Sequence, residues 1–173
     1  MKIQERYAVA VNSTCLTVDE RTTFSDTDVV GAYGLASKSE PLAVRLERLF
    51  HGDNGASAAL VTDLSQLLRN KAASMRLRIA RTQADDMAKA CLAWHRNGTC
   101  KTCGGHGLQL IPGTKTHSER DCLSCRGTGR RPFERNFRHE LQGLAGWLVA
   151  HMEREQARAG PAAMQSLAPM LGL

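Results

Sequence analysis

Two pairs of cysteines are spaced so that they could close on one metal ion. Cys100-Lys-Thr-Cys103 recurs as Cys122-Leu-Ser-Cys125, with eighteen residues between the pairs, a separation that suits a C-x2-C…C-x2-C zinc site. Two residues between cysteines let one tight turn direct both thiolates at the same ion, and a second such turn completes a tetrahedral shell. Each pair runs on into glycines, as CKTCGGHG (100–107) and CLSCRGTG (122–129), so both read CxxCxGxG. Glycine accepts positive φ, which lets the backbone curl around the sulfurs and aim amide hydrogens at them. Four thiolates leave no open position for water, so the Zn2+ expected here is structural, whereas a catalytic zinc or a dithiol redox pair are the competing readings of CxxC. His106 and His117 lie close by in sequence and read as exposed loop histidines, with a ligand or phosphate-contacting role as the alternative. The segment has little apolar material, and structural zinc contributes on the order of 10 kcal/mol, so it should unfold without metal.

Other chemistry is not evident. The chain has no P-loop, nucleophile-elbow or HExxH pattern, and its acidic residues form no metal-binding cluster. Asp85-Asp86 reads as a helix N-terminus favouring acids, so an enzyme is not expected. Charge is more informative. The net charge of +6 is unevenly spread: residues 1–68 carry six basic and nine acidic side chains. Residues 69–81 hold Arg69, Lys71, Arg76, Arg78 and Arg81 with no acid, and residues 96–139 hold nine basic side chains against Glu119, Asp121 and Glu134. Clustered cations raise affinity for polyanions through counterion release, which points to nucleic acid; solvated helix and loop faces are the plainer explanation.

The elements that must position these residues read as mainly α: a helical domain with an inserted four-cysteine zinc ribbon. A chain of 173 residues fits one modest domain with a tail, and its low aromatic content suits helices packed through aliphatic stripes. Residues 1–24 show no sustained period and read as loosely ordered. Residues 25–98 form a helical region. It holds a short helix after Ser25 weakened by Gly31 and Gly34, then a helix from Pro41 with Leu42, Leu46 and Leu49 on one face. Leu60, Leu64, Leu67, Leu68, Ala72, Met75 and Ile79 set helical spacing up to Arg81, and Thr82 with Asp85 would cap the next helix, which stops at Gly98. Cys91 and the isolated Cys15 read as core filler. Residues 99–132 are the zinc-binding insertion, with a hairpin around Pro112-Gly113. Residues 133–160 are a C-terminal helix carrying Phe133, Phe137, Leu141, Leu144, Leu148 and Met152, ended by Gly160-Pro161, and 161–173 are a tail. No stretch is long and apolar enough to cross a bilayer and no signal peptide is apparent, so a cytoplasmic protein without a membrane partner is expected.

Two features resemble the late-gene transcription antitermination proteins of lambda-like bacteriophages, the Q family. One is the pair of CxxCxGxG turns, which also resemble the cysteine-rich domain of the J-domain co-chaperones, where four such repeats occur. The other is Thr27-Asp-Val-Val-Gly-Ala-Tyr-Gly-Leu-Ala36, which is similar to the stretch ahead of the family's helical core. The resemblance covers roughly residues 25–135 and departs after the cysteines, where the lambda-type members continue into a longer helical region. It implies binding to a DNA site within a late promoter and to a paused bacterial RNA polymerase holoenzyme, with no small-molecule substrate; nascent RNA enters only as one candidate, beside DNA and polymerase, for the basic run Arg69–Arg81. The zinc ligands Cys100, Cys103, Cys122 and Cys125 carry over; DNA-reading positions do not. The ribbon is expected to place Lys101, Lys115, Arg126, Arg130 and Arg131 near nucleic acid, with Arg135 and Arg138 extending the stripe along the following helix. The basic run Arg69–Arg81 offers a second contact. The alternatives are a zinc-dependent DNA-binding regulator without elongation activity and a co-chaperone-like protein-binding module.

Overall fold

The computed structural model describes residues 3–13, 25–133 and 136–171. The described residues form six α-helices and one two-stranded sheet, so the fold is mainly α. The chain divides into two compact units, Met1–Leu64 with Ala150–Leu173 and Ser65–Val149. Both boundaries fall within helices, not at residue 98.

In the first unit, α1 (Ile3–Asn12), α2 (Asp26–Ser39), α3 (Pro41–Phe50) and the start of α4 (Ser57–Ser74) are joined by the end of α6 (His139–Leu167). Residues 3–12, expected to be loosely ordered, form α1 because Tyr7 and Ala10 share one helical face and are buried. Cys15 lies outside the described residues. Helix α2 is fourteen residues long despite Gly31 and Gly34. Val29, Ala32, Tyr33 and Ala36 make a continuous buried stripe at helical spacing, and that burial outweighs the weak propensity of two glycines. Ser25 begins it with a full capping box: its hydroxyl accepts from Asp28 N at 3.3 Å and its own N–H donates to Asp28 Oδ2 at 2.8 Å. The Ser25 backbone N–H, and then its hydroxyl, hold the Asp28 carboxyl below its ordinary pKa. The cap's contribution is therefore complete above the ordinary carboxylate range and fades as pH falls through the depressed value.

Tyr7 stacks on Tyr33 with ring centroids 3.9 Å apart, among Val44, Ala159, Ala163 and Leu167. Glu47, 3% exposed on α3, is held by Gln156 Nε2 at 3.1 Å and His51 Nε2 at 3.3 Å. Leu46 and Leu49 of the expected α3 stripe are buried, whereas Leu42 is only half-buried. Pro161, expected to end the last helix, lies inside α6, which continues to Leu167. Gly160 removes the Cβ that would otherwise crowd the proline ring, and buried Ala159, Ala163 and Leu167 hold the helix on both sides of it. The expected tail is thus helix to Leu167 and a 3-10 turn at Ala168–Leu171.

In the second unit, α4 buries Leu68 and Ala72 and stops at Ser74, not near Arg81. Leu77 N donates to Ala72 O at 2.8 Å and Arg76 N to Ala73 O at 3.0 Å, with Arg76 left-handed at φ 56°. This is a Schellman stop with arginine where glycine is usual. The basic run is consequently split between the end of α4, a connecting segment and the start of α5 (Arg81–Arg96). Thr82 and Asp85 do not cap α5. Ala80 stands at the N-cap without a side-chain bond, and Asp85 instead accepts from the Ser65 hydroxyl. Ala84, Met87, Ala88, Cys91 and Leu92 form the buried face of α5, and burial pushes the Cys91 thiol up to about 12. Helix α6 begins at His139, so Phe133, Phe137 and Arg138 precede it. Arg138 therefore lies on no helical stripe, and Arg135 lies outside the described residues.

Two stability changes follow. Arg76→Gly relieves a left-handed backbone that costs a side-chain-bearing residue about 1–2 kcal/mol, so urea denaturation should show a gain of about 0.5–1 kcal/mol after glycine's own entropy is offset. Among the described residues the buried Tyr33 hydroxyl has no hydrogen-bond partner. Tyr33→Phe should therefore leave the urea midpoint unchanged or raise stability by up to about 1 kcal/mol. A marked loss would show that the hydroxyl is satisfied.

Candidate metal centre

The cysteine segment leaves α5 at Gly98. A Cβ there would lie 3.0 Å from Trp94 O and 3.1 Å from the indole, so the chain passes close against Trp94. The two ends of the segment are tied together: Thr99 and Arg130 form an antiparallel bridge, and Arg131 N donates to Gly98 O at 2.8 Å. Trp94 Nε1 donates to Arg131 O at 2.7 Å, its ring lies 4.6 Å from Phe133, and the Arg130 guanidinium sits 4.8 Å over it. Trp94, in the last turn of α5, is thus the clamp that closes the base of the segment. Its signal in the sequence was slight: a large aromatic residue in the last turn before the glycine stop.

From this base two turns of similar internal bonding rise and face each other, differing in that Gly105 N donates to Cys100 O at 3.2 Å in the first and Arg126 N to Cys122 O at 2.7 Å in the second. Cys100 N donates to Gly129 O at 2.8 Å, and Cys122 N donates to Gly107 O at 2.6 Å. His106 N bonds Cys103 O at 3.1 Å, and Thr128 N bonds Cys125 O at 3.2 Å. The repeat seen as CxxCxGxG is therefore a local two-fold relation, in which the last glycine of each turn receives the first cysteine of the other. Packing between the turns is equally reciprocal. A Cβ on Gly107 would lie 2.2 Å from Gly127 O, and one on Gly129 would lie 2.2 Å from Gly105 O. Both glycines also have positive φ, 77° and 69°. The position after each cysteine pair is left-handed as well, filled by Gly104 at φ 62° in one turn and by Arg126 at φ 53° in the other.

This arrangement brings the four sulfurs of Cys100, Cys103, Cys122 and Cys125 within 4.8 Å of one another, all in buried residues. Cys103 Sγ and Cys125 Sγ are 3.7 Å apart. That is far beyond a disulfide bond and close to the edge of a tetrahedron whose centre lies about 2.3 Å from each sulfur. Gly107 N donates to Cys103 Sγ at 3.3 Å, the kind of amide contact that steadies a bound thiolate. The amide N–H of Cys103 favours the Cys100 thiolate and lowers its pKa, whereas burial, and then the neighbouring sulfurs, raise that of Cys125. Four thiolates so close repel one another, and a divalent cation at their centre removes that penalty. The residues present fit a metal ion.

Between the turns, β1 (Leu108–Leu110) pairs antiparallel with β2 (His117–Asp121), as the Pro112-Gly113 turn implied. His106 and His117 rings lie 4.2 Å apart, outside the cysteine cluster. Lys101, Lys115, Arg126, Arg130, Arg131 and Arg138 are all exposed. The structure brings Arg126, Arg130 and Arg131 together around one recess beside Trp94.

The fold and the cluster define a mainly α-helical protein with four cysteines positioned to bind a metal ion. Neither a protein-family model nor a curated protein matches the chain. No helix among the described residues is long and apolar enough to cross a membrane.

The reciprocal glycine contacts generate a sharp test. Gly107→Ala or Gly129→Ala must push a carbonyl oxygen aside by most of an ångström, so each should lose bound metal to a chromophoric chelator much faster than the parent. Gly143→Ala, at an exposed helical position with open space around it, should retain the parent stoichiometry by elemental analysis.

Proposed function

We propose that the chain is a zinc-stabilised, nucleic-acid-binding transcription regulator of the late-gene antitermination type. In this reading it acts in the cytoplasm of a bacterial host, binds promoter DNA and RNA polymerase holoenzyme, and lets the enzyme pass terminators. The observation that carries the reading is the closed cluster of four buried sulfurs under a surface of exposed cations. A sulfur-only tetrahedral donor set of this size suits Zn2+, and a filled shell offers no position for a reacting water, which favours a structural over a catalytic metal.

A metal site of this kind makes a rigid support from a glycine-rich segment that has too little apolar material to fold alone. Rigid cations bind phosphate with less entropy to lose than mobile ones. Lys101 and Lys115 lie on the segment's exposed surface, and Arg126, Arg130 and Arg131 gather near its base. A non-enzymatic regulator needs such a surface together with a separate one for polymerase. A protein-binding module is favoured by one observation, the 85% exposure of Leu123 between the second pair of cysteines.

Elemental analysis should return one zinc per chain. Replacing Lys101 and Lys115 together by glutamine, which touches neither metal ligand nor clamp, should weaken binding to late-promoter DNA. It should also flatten the dependence of log K on log salt by up to about 1.8. Read-through of a terminator by purified polymerase from the corresponding late promoter should require the protein and fail after chelation. Salt-sensitive DNA binding without read-through would leave a simple DNA-binding regulator; salt-insensitive capture of unfolded polypeptide in place of DNA would favour the co-chaperone-like module.

A further inference from the structure

At the base of the cysteine segment lies a half-open recess of about 420 Å³, lined by Trp94, Arg126, Arg130, Arg131, Pro132 and Phe133 among others. Its volume lies in the range of sites that take small ligands and nucleotides. The lining is of two kinds, aromatic and proline carbon and three arginine side chains. A double helix offers its phosphates to convex or open basic surfaces and keeps its bases stacked inside. Only an unpaired nucleotide can place a base in a recess while its phosphates reach the rim.

The three arginines are not equivalent. Arg130 is laid over Trp94, with its guanidinium carbon 4.8 Å from the ring centroid, and Arg131 reaches back to Asn97 O. Both cations are therefore placed before any ligand arrives. Among the described residues the Arg126 guanidinium makes no hydrogen bond or ion pair. Yet Arg126 occupies the left-handed position whose counterpart in the other turn is Gly104. Both turns place a left-handed residue at this position, and in the first it is glycine, the residue that adopts such a backbone at least cost. An arginine held there against its backbone preference is explained by what its side chain meets at the rim of the recess.

Resting on the proposed nucleic-acid-binding reading, we propose that this recess binds an unpaired nucleotide of a single-stranded nucleic acid. The base enters among Trp94, Pro132 and Phe133, and the flanking phosphates meet Arg126, Arg130 and Arg131. Trp94 then serves twice, closing the metal segment and forming the wall of the site.

The test uses the full, metal-loaded chain and fluorescence anisotropy with three probes: a labelled unstructured oligonucleotide of about ten nucleotides, the same sequence as a duplex, and a mononucleotide by competition. Arg126→Gly restores the residue type of Gly104, so its melting temperature should equal or exceed the parent's; Arg126→Asn, which also tolerates the left-handed region, is the second variant. Both should weaken single-strand binding by about tenfold and flatten its salt slope by about 0.7. Lys38→Gln, which removes the same charge from an exposed site on α2, should stay within about twofold of the parent. Unchanged single-strand affinity in both Arg126 variants would overturn the proposal, as would an equal loss in Lys38→Gln, or a mononucleotide binding as tightly as the oligonucleotide. Salt-sensitive duplex binding with no single-strand binding would overturn this inference alone; binding to neither probe would overturn the nucleic-acid reading with it.

Discussion

Two turns that each carry a cysteine pair can bring four sulfurs together only if their backbones interlock, and here they do so without room for a single added carbon. Gly107 lies against Gly127 O and Gly129 against Gly105 O, while Cys100 and Cys122 each donate to the last glycine of the opposite turn. Neither half can reach this conformation separately, because each supplies the acceptor that fixes the other's first cysteine. The resulting pocket is crowded with sulfur, and thiolates that repel one another are stabilised by a central cation. Metal affinity and backbone interlock are therefore two sides of one constraint. The placement of every exposed cation on the segment depends on it.

The same segment must also be attached to something that keeps its shape. Trp94 performs that attachment from the last turn of α5: its indole N–H is spent on Arg131 O, its ring packs against Phe133, and Gly98 passes against its edge. A hydrogen bond from a partly buried indole and the removal of aromatic surface from water both act at the point where the segment's ends meet. Arg130 and Arg131, read in the sequence as phosphate-contacting cations, are fixed at this junction by a stacked ring and a carbonyl. They are ordered before binding, which distinguishes them from the freely projecting Lys101 and Lys115.

Elsewhere, tertiary burial overrides local preference in several places. Helix α2 survives two glycines because Val29, Ala32, Tyr33 and Ala36 are buried together, and α6 passes through Pro161 because Ala159, Ala163 and Leu167 are held on either side. Arg76 adopts a left-handed backbone so that α4 can end in a Schellman turn, and the basic stretch around it is divided among α4, the connecting segment and α5. Each is a small local cost accepted where a larger packing gain lies nearby.

The mainly helical class, the stripe of α3, the buried leucines of α4, the hairpin and the four-cysteine cluster were legible in the sequence, because they rest on short-range rules: helical spacing, turn residues and the geometry of C-x2-C. The N-terminal helix was not legible, since Tyr7 and Ala10 acquire a partner only when Tyr33 is brought against them. The continuation of α6 beyond Pro161, its start only after Arg138 and the true start of α5 escaped for the same reason: where a helix begins and ends is decided by what its ends meet. The recess beside Trp94 was the least visible feature, since it is made by residues 94, 126 and 130–133, which only the closing of the metal segment brings side by side. Sequence spacing specifies which atoms could share an ion; the folded chain alone decides which surfaces that sharing creates.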